Sequence, residues 1–197
     1  DAKYKLLILI AHAFGITVKP SEIFNIGIDN IGEIELKYAC EKDLKIKLVA
    51  QAFKTSQGDV SCFVMPKFID ITNKLYTVDD VFNGIITKTS FADIQFFVGK
   101  GAGAHPTASA VLSDISALSY NYKYEYKKIH QNGKVKLNDN ILLKVLFRHS
   151  ANERDLFISF FETIFESYLN NQTGVGYIIG NISLSKILSF NLTFPFW

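Results

Sequence analysis

Six consecutive apolar residues, Leu6-Leu7-Ile8-Leu9-Ile10-Ala11, sit inside a helical segment that runs from Asp1 to Phe14 and stops at Gly15. A helix that is apolar all round has no face to give to water, so the pattern predicts burial on every side. The run is about a third of the ~20 residues needed to span a bilayer. It also lacks the flanks of a secretory signal, so no membrane partner is expected. The rest of the chain is globular in composition, 48% hydrophobic and 20% charged over 197 residues, which excludes disorder as the main state. Twenty-one basic and nineteen acidic residues leave a formal charge of +2, a balance that calls for no nucleic acid. Cys40 and Cys62 form neither a disulfide framework nor a zinc pattern, and a reducing cytoplasm is the simplest reading. The sequons at Asn171, Asn181 and Asn191 read as chance in an Asn-rich chain. The chain opens on Asp1, inside helical patterning, and reads as part of something longer.

Beyond Gly15 the expected elements are a short strand over 23–28, a helix started by Asn30 and Glu33 that runs to about Lys42, and an alternating strand over 45–53. In that strand Ile46, Leu48, Ala50 and Ala52 share one face. A strand through Val60, Cys62 and Val64 should end at Pro66, and one helical turn is expected at 79–82. Strands near 83–87 and 94–98 follow, then a helix that fades near Tyr120 and a connector over 120–140. A second unit comes next, with a strand over 141–147, a helix over 153–169, and strands around 177–179 and 187–192. Phe157, Phe160, Phe161, Ile164, Phe165 and Tyr168 recur at helical spacing, which is the reason for placing a helix there.

Three constellations carry chemistry. Asp1 and Lys5 stand four apart on the first helix and share a face. Taken alone, such a pair is a surface ion pair. At the mouth of a buried core, however, a partly desolvated lysine can give a proton to a developing alkoxide, and the aspartate can hold an ammonium group. The second constellation is the loop Gly99-Lys100-Gly101-Ala102-Gly103-Ala104, placed between a strand and a helix, with Pro106 in the helix's first turn. Glycines there admit a ligand to the main chain, although a tight structural turn explains them equally. No second parallel strand with an acidic residue about twenty positions on follows this loop, so a dinucleotide fold is not encoded by it. The third is Tyr120 to Lys128, where tyrosines alternate with lysines. With so small a net charge it reads as a solvated connector rather than a nucleic-acid platform. His12, His105, His130 and His149 lack metal-ligand spacing, and no metal is expected; His12, on the apolar helix, reads as a core residue.

The stretch from Gly99 to Asp114, Gly-Lys-Gly-Ala-Gly-Ala-His-Pro-Thr-Ala-Ser-Ala-Val-Leu-Ser-Asp, closely resembles the glycine-rich segment of monofunctional bacterial homoserine dehydrogenases. Asp1-Ala2-Lys3-Tyr4-Lys5 is similar to the end of that family's Gly-x-Asp-x-x-x-Lys signature, and Ile46-Lys47-Leu48 to its Ile-Lys-Leu strand. Val64-Met65-Pro66, Leu75, Val78 and Val81-Phe82-Asn83 follow in the family's order. The resemblance covers about residues 1–118. It implies interconversion of L-homoserine and L-aspartate 4-semialdehyde with NAD or NADP, on the route to threonine and methionine. Lys5 would then be the catalytic proton donor or acceptor, Asp1 would hold the substrate's amino group, and Gly101 and Gly103 would bring main chain against the cofactor. The resemblance further implies a homodimer. It places the cofactor fingerprint, a second active-site lysine and a substrate-binding glutamate upstream of Asp1. Two departures stand out. Ile26 occupies a position where many relatives carry an acid, and Ser150-Ala151-Asn152-Glu153-Arg154 replaces the Pro-Gly turn usual in ACT domains.

The expected fold is α+β, with a mostly mixed or antiparallel sheet carrying helices on one face, followed by a small ferredoxin-like (ACT-like) α/β unit. The expected organisation is a catalytic and dimerisation domain over 1–125 and a degenerate ACT-like domain over 140–197. The alternative function is a non-catalytic oligomerisation or regulatory module derived from the same family.

Overall fold

The structure, a computed structural model, describes residues 1–123, 125, 127–131 and 135–189. Its helices and strands follow in the order α1 (Ala2–Phe14), β1 (Phe24–Asn25), α2 (Glu33–Glu41), β2 (Lys45–Lys54), β3 (Val60–Ile69), β4 (Phe82–Thr89), β5 (Asp93–Lys100) and α3 (Ala104–Ser119). After these come α4 (Lys127–Gln131), β6 (Leu142–Ser150), α5 (Arg154–Ile158), β7 (Thr163–Asn170), β8 (Val175–Ser183) and α6 (Leu184–Ser189). Three open sheets result, ordered β1-β3-β2, β4-β5 and β6-β8-β7. The class is α+β, as the sequence predicts. The chain divides into one unit made of 1–42, 46–68 and 126–197, and another made of 43–45 and 69–125.

In the first unit β3 sorts its side chains by alternation. Cys62 and Val64 pack with Leu6 and Ile10 of α1. Phe63 and Met65 point the other way, into a cluster with Val145 and Phe147 of β6, Phe157 of α5, Ile178 and Ile182 of β8, and Leu184 and Ile187 of α6. The central strand β3 is therefore covered by α1 on one face and by the C-terminal elements on the other.

A sheet offers α1 only one surface. Leu6, Ile10 and Ala11 are buried against it, while Ile8 and Leu9 remain 53% and 48% exposed. Burial on every side, expected from the six-residue apolar run, is not what the helix achieves. Its far end is closed more firmly. Gly15 adopts the left-handed conformation at φ 68°, and its N–H donates to the Ala11 carbonyl at 3.1 Å. Lys128 of α4 then donates from Nζ to the Ala13 carbonyl at 2.8 Å. A methyl group on Gly15 would overlap the main chain of Lys128. Left-handed backbone alone costs a residue with Cβ ~1–2 kcal/mol, and the overlap adds to it. Gly15→Ala should lower the midpoint of urea unfolding by more than Lys128→Ala does; equal midpoints would remove the close approach from the account.

The C-terminal elements run β6-α5-β7-β8-α6, with both neighbouring pairs antiparallel and β8 in the middle. That is the ferredoxin-like order through its second helix. The helix expected over 153–169 is shorter. Arg154–Ile158 is helical, and Thr163–Asn170 is a strand on β8, bulged between Ile164 and Glu166. Phe157 packs on Phe147 at 4.4 Å between ring centroids. Ser150 and Glu153 cap the turn into α5 as expected, with the Ser150 Oγ donating to Glu153 Oε2 at 2.6 Å. The strand expected over 187–192 begins inside helix α6, and its residues 190–192 lie outside the described residues.

Three further expectations are adjusted. β3 continues through Pro66 to Ile69, because β1 pairs with it only at Phe63 and Val64. Ile26 donates to the Val64 carbonyl, and two residues on Pro66 faces the same side, past the end of β1, where its missing N–H breaks no ladder. β2 forms as expected, at the sheet edge, with Leu48 and Ala50 exposed. The expected helical turn at 79–82 is a loop turn in which Phe82 N–H donates to Asp79. The connector over 120–140 contains α4, and Leu137 bridges to Val60; Tyr124, Tyr126 and residues 132–134 lie outside the described residues.

A buried ion pair fixes α2 against β6. Glu35 is fully buried, and its Oε2 accepts from Arg148 Nη1 at 3.0 Å and from the Gly32 N–H at 2.8 Å. Arg148 Nη2 donates to the Asn30 carbonyl at 3.1 Å. The helix start is thus set by Gly32 and Glu35, two residues later than the Asn30–Glu33 pairing expected from sequence.

The second unit contains the β4–β5 hairpin, paired in full from Phe82↔Lys100 to Thr89↔Asp93, and α3. No residue of α3 is buried. Val111, Leu112, Ile115 and Leu118 form an exposed apolar stripe on it, and Ile85, Ile94 and Phe97 are exposed on the hairpin.

Candidate functional site

Asp1 and Lys5 are brought together by the first turn of α1. The Asp1 carbonyl accepts the N–H groups of Tyr4 and Lys5 at 3.0 and 3.2 Å, which starts the helix. The Asp1 carboxylate makes no capping bond to that turn. Instead its Oδ2 lies 2.6 Å from Lys5 Nζ, with the two side chains 80% and 64% exposed. The desolvated core mouth expected around Lys5 is absent from this chain's own packing. What the geometry supplies is an accessible carboxylate and an accessible ammonium on one helix face, able to bind an amino group and to exchange a proton.

Gly101 and Gly103 lie in the other unit, in the loop from β5 into α3. Gly101 N–H donates to the Val81 carbonyl at 2.9 Å. A Cβ there would overlap the Asn83 amide, so Asn83 explains why this position is glycine. Asn83 went unassigned in the sequence, and its only signal was its place in the Val81-Phe82-Asn83 motif. Gly103 has φ 124°, which favours glycine on backbone grounds alone. It starts α3 with no side-chain cap, and the space beside it is open except for Pro106 at 3.4 Å. Gly99 likewise faces open space. Main chain is therefore open at Gly103, beside N–H groups of a helix start that favour negative charge, while Gly99 lies within β5 opposite Asn83.

Several other reactive groups are held in the interior. Cys62 is buried, and burial, with a smaller contribution from the Asp139 charge, pushes its thiol up to about 11, so it is no nucleophile at neutral pH. Burial also raises the Asp139 carboxyl. The buried histidine is His149 rather than the half-buried His12, and its Nδ1 lies 2.9 Å from the Ser150 carbonyl. Burial, followed by a hydrogen bond to Glu166 at 2.5 Å, raises the Tyr177 phenol. Among the described residues no group of three His, Cys, Asp or Glu is placed to hold a metal, and no helix is long and apolar enough to cross a membrane.

Comparison with known proteins bears on residues 1–116, which match the homoserine dehydrogenase family. Homoserine dehydrogenase of Lactococcus lactis is 33% identical over 115 residues, and that of Helicobacter pylori is 39% identical over 115 residues. Each match covers 58% of this chain and 27% of the relative. The crystal structure of a homoserine dehydrogenase from Thiobacillus denitrificans superposes with a TM-score of 0.73 at 22% identity, over 96% of this chain and 47% of that one. The S. aureus homoserine dehydrogenase at pH 6.5 gives 0.63 at 21% identity, over 100% and 50%. At those identities the structural likeness shows the fold. It extends through the C-terminal elements, beyond the sequence match. The chain spans about a quarter of the length of the curated relatives and about half of the solved chains.

Proposed function

The chain belongs to the homoserine dehydrogenase family, and on that premise we propose that it is the catalytic and dimerisation part of an oxidoreductase that interconverts L-homoserine and L-aspartate 4-semialdehyde with NAD or NADP. The observation that carries this reading is the Asp1–Lys5 pair, two groups of the right chemistry on one turn of α1 at 2.6 Å. In the direction of reduction a hydride adds to the aldehyde carbon, and Lys5 gives a proton to the oxygen that becomes the hydroxyl. In the direction of oxidation the hydroxyl proton passes to the Lys5 amine as the hydride leaves C4. Asp1 holds the substrate's ammonium group. The cofactor, when bound, accepts or supplies the hydride; Gly103 opens the main chain to it, and Gly101, closed by Asn83, shapes the same loop. The catalytic role falls to residues 1–125, and residues 140–197 form a degenerate ACT-like unit. A reducing cytoplasm suits the two unpaired thiols.

The test is NAD(P)H formation from L-homoserine. The complete enzyme carrying this chain should show it. Residues 1–197 alone should not, because the sheets of the described residues, β1-β3-β2, β4-β5 and β6-β8-β7, hold no series of parallel strands joined by helices of the kind that binds a dinucleotide. Turnover by residues 1–197 alone would falsify the division of labour. A folded but inactive complete protein favours the oligomerisation module instead.

The dimer is proposed from the second unit. The exposed stripe of Val111, Leu112, Ile115 and Leu118 and the exposed hairpin residues are apolar surface that a second copy would cover. Light scattering at micromolar concentration should give twice the monomer mass, and Leu112→Asp with Ile115→Asp should return it to the monomer. A wild-type monomer rejects the proposal.

A further inference from the structure

We propose that Asp1 and Lys5 form a pair that the substrate itself displaces: its ammonium group takes Lys5's place on the Asp1 carboxylate, and the released Lys5 amine turns to the substrate's 4-oxygen. This rests on the reading above, in which Asp1 binds the amino group and Lys5 moves the proton. Both roles draw on the same carboxylate. Asp1 Oδ2 already holds Lys5 Nζ at 2.6 Å, and the carboxylate has no capping duty on α1.

A second ammonium arriving at that carboxylate leaves two positive groups on one negative one, and like charges at such a distance repel. The group free to move is the lysine, on a flexible four-carbon stem. Exposed pairs at i and i+4 are held weakly, so the exchange meets little resistance. Lys5 loses nothing essential by leaving, since the first turn of α1 is held by the Asp1 carbonyl and not by the ion pair.

The consequence is a specificity device. Asp1 would recognise the α-amino group and, by the same act, decide whether Lys5 is available. An alcohol without that amino group would leave Lys5 on Asp1, away from the reacting oxygen. Discrimination would then appear in turnover as well as in binding.

The test compares L-homoserine with 4-hydroxybutyrate, which is homoserine without its amino group, in the complete enzyme and in its Asp1→Asn and Asp1→Ser variants. Release of Lys5 should raise kcat for 4-hydroxybutyrate roughly three- to sixfold in both variants, the gain open to a group freed from an exposed pair, while kcat/KM for L-homoserine falls. A purely structural role for Asp1 would lower both substrates together. An unchanged or lower kcat for 4-hydroxybutyrate overturns the displacement. Lys5→Ala separates the two levels of the argument. If it leaves turnover of L-homoserine at the wild-type value, the proposed function has failed; if it abolishes turnover while Asp1→Asn gains nothing on 4-hydroxybutyrate, only the displacement has.

Discussion

Lys5→Ala in the complete enzyme should lower turnover by about 10²–10⁴, the range a positioned general acid contributes. Reduction of the semialdehyde places negative charge on oxygen as hydride reaches carbon, and without Lys5 that charge finds no proton at the moment it forms. The Michaelis constant for the dinucleotide should change much less. Asp1→Ala should raise the Michaelis constant for L-homoserine at least as much as it lowers turnover, because it removes the counter-charge for the substrate's ammonium. A pair that did nothing but decorate a helix behaves otherwise: an exposed i, i+4 pair contributes under ~1 kcal/mol to stability, and its loss leaves kinetics alone. Near-normal turnover in a folded Lys5→Ala enzyme would remove Lys5 from the mechanism and leave the family membership as a statement about ancestry and fold.

The largest stability effect is expected far from that pair. Arg148→Met should cost ~3–5 kcal/mol, the usual result of removing one partner from a buried ion pair. Glu35 is fully buried, and its Oε2 would keep only the Gly32 N–H. Its Oε1 already has no hydrogen-bond partner. The double replacement Glu35→Leu with Arg148→Met should recover much of the loss, because two apolar groups of similar volume leave no charge stranded. Urea unfolding of the two single variants and the double variant measures this as a cycle. A single Arg148→Met variant as stable as the wild type would show that water reaches Glu35 and that the pair does not pin α2.

What the sequence made legible is local. Helix α1 stops where Gly15 turns left-handed, the β4–β5 hairpin lies between loop signals, and α3 begins after the glycines with Pro106 in its first turn. Each of these is announced by residues within a few positions of the event. The stretch from Phe157 to Tyr168 was misleading for a physical reason. Phe157 lies in a short helix, Phe160 and Phe161 follow its end and pack on the same core, and β7 then carries a bulge between Ile164 and Glu166 that breaks two-residue alternation. A helix end followed by a bulged strand imitates a 3.6-residue period. Glu35 and Arg148 stand 113 residues apart, and no window along the chain contains both. Of the candidate site, the Asp1–Lys5 pair is legible because helical spacing puts positions four apart on one face. The closing of Gly101 by Asn83 needed the register of the hairpin.

The core that Phe63 and Met65 begin is finished by Leu184 and Ile187. During synthesis β3 therefore leaves the ribosome with one face bare, and its cover arrives about 120 residues later. At ~5–20 residues per second this is a delay of order ten seconds. For that interval β3 is covered only in part, first by Val145 and Phe147 of β6 and then by Phe157 of α5, and a stop ahead of residue 184 leaves it so. Loss of α6 would thus register as insolubility of the chain, with the reactive groups of α1 intact and never assembled.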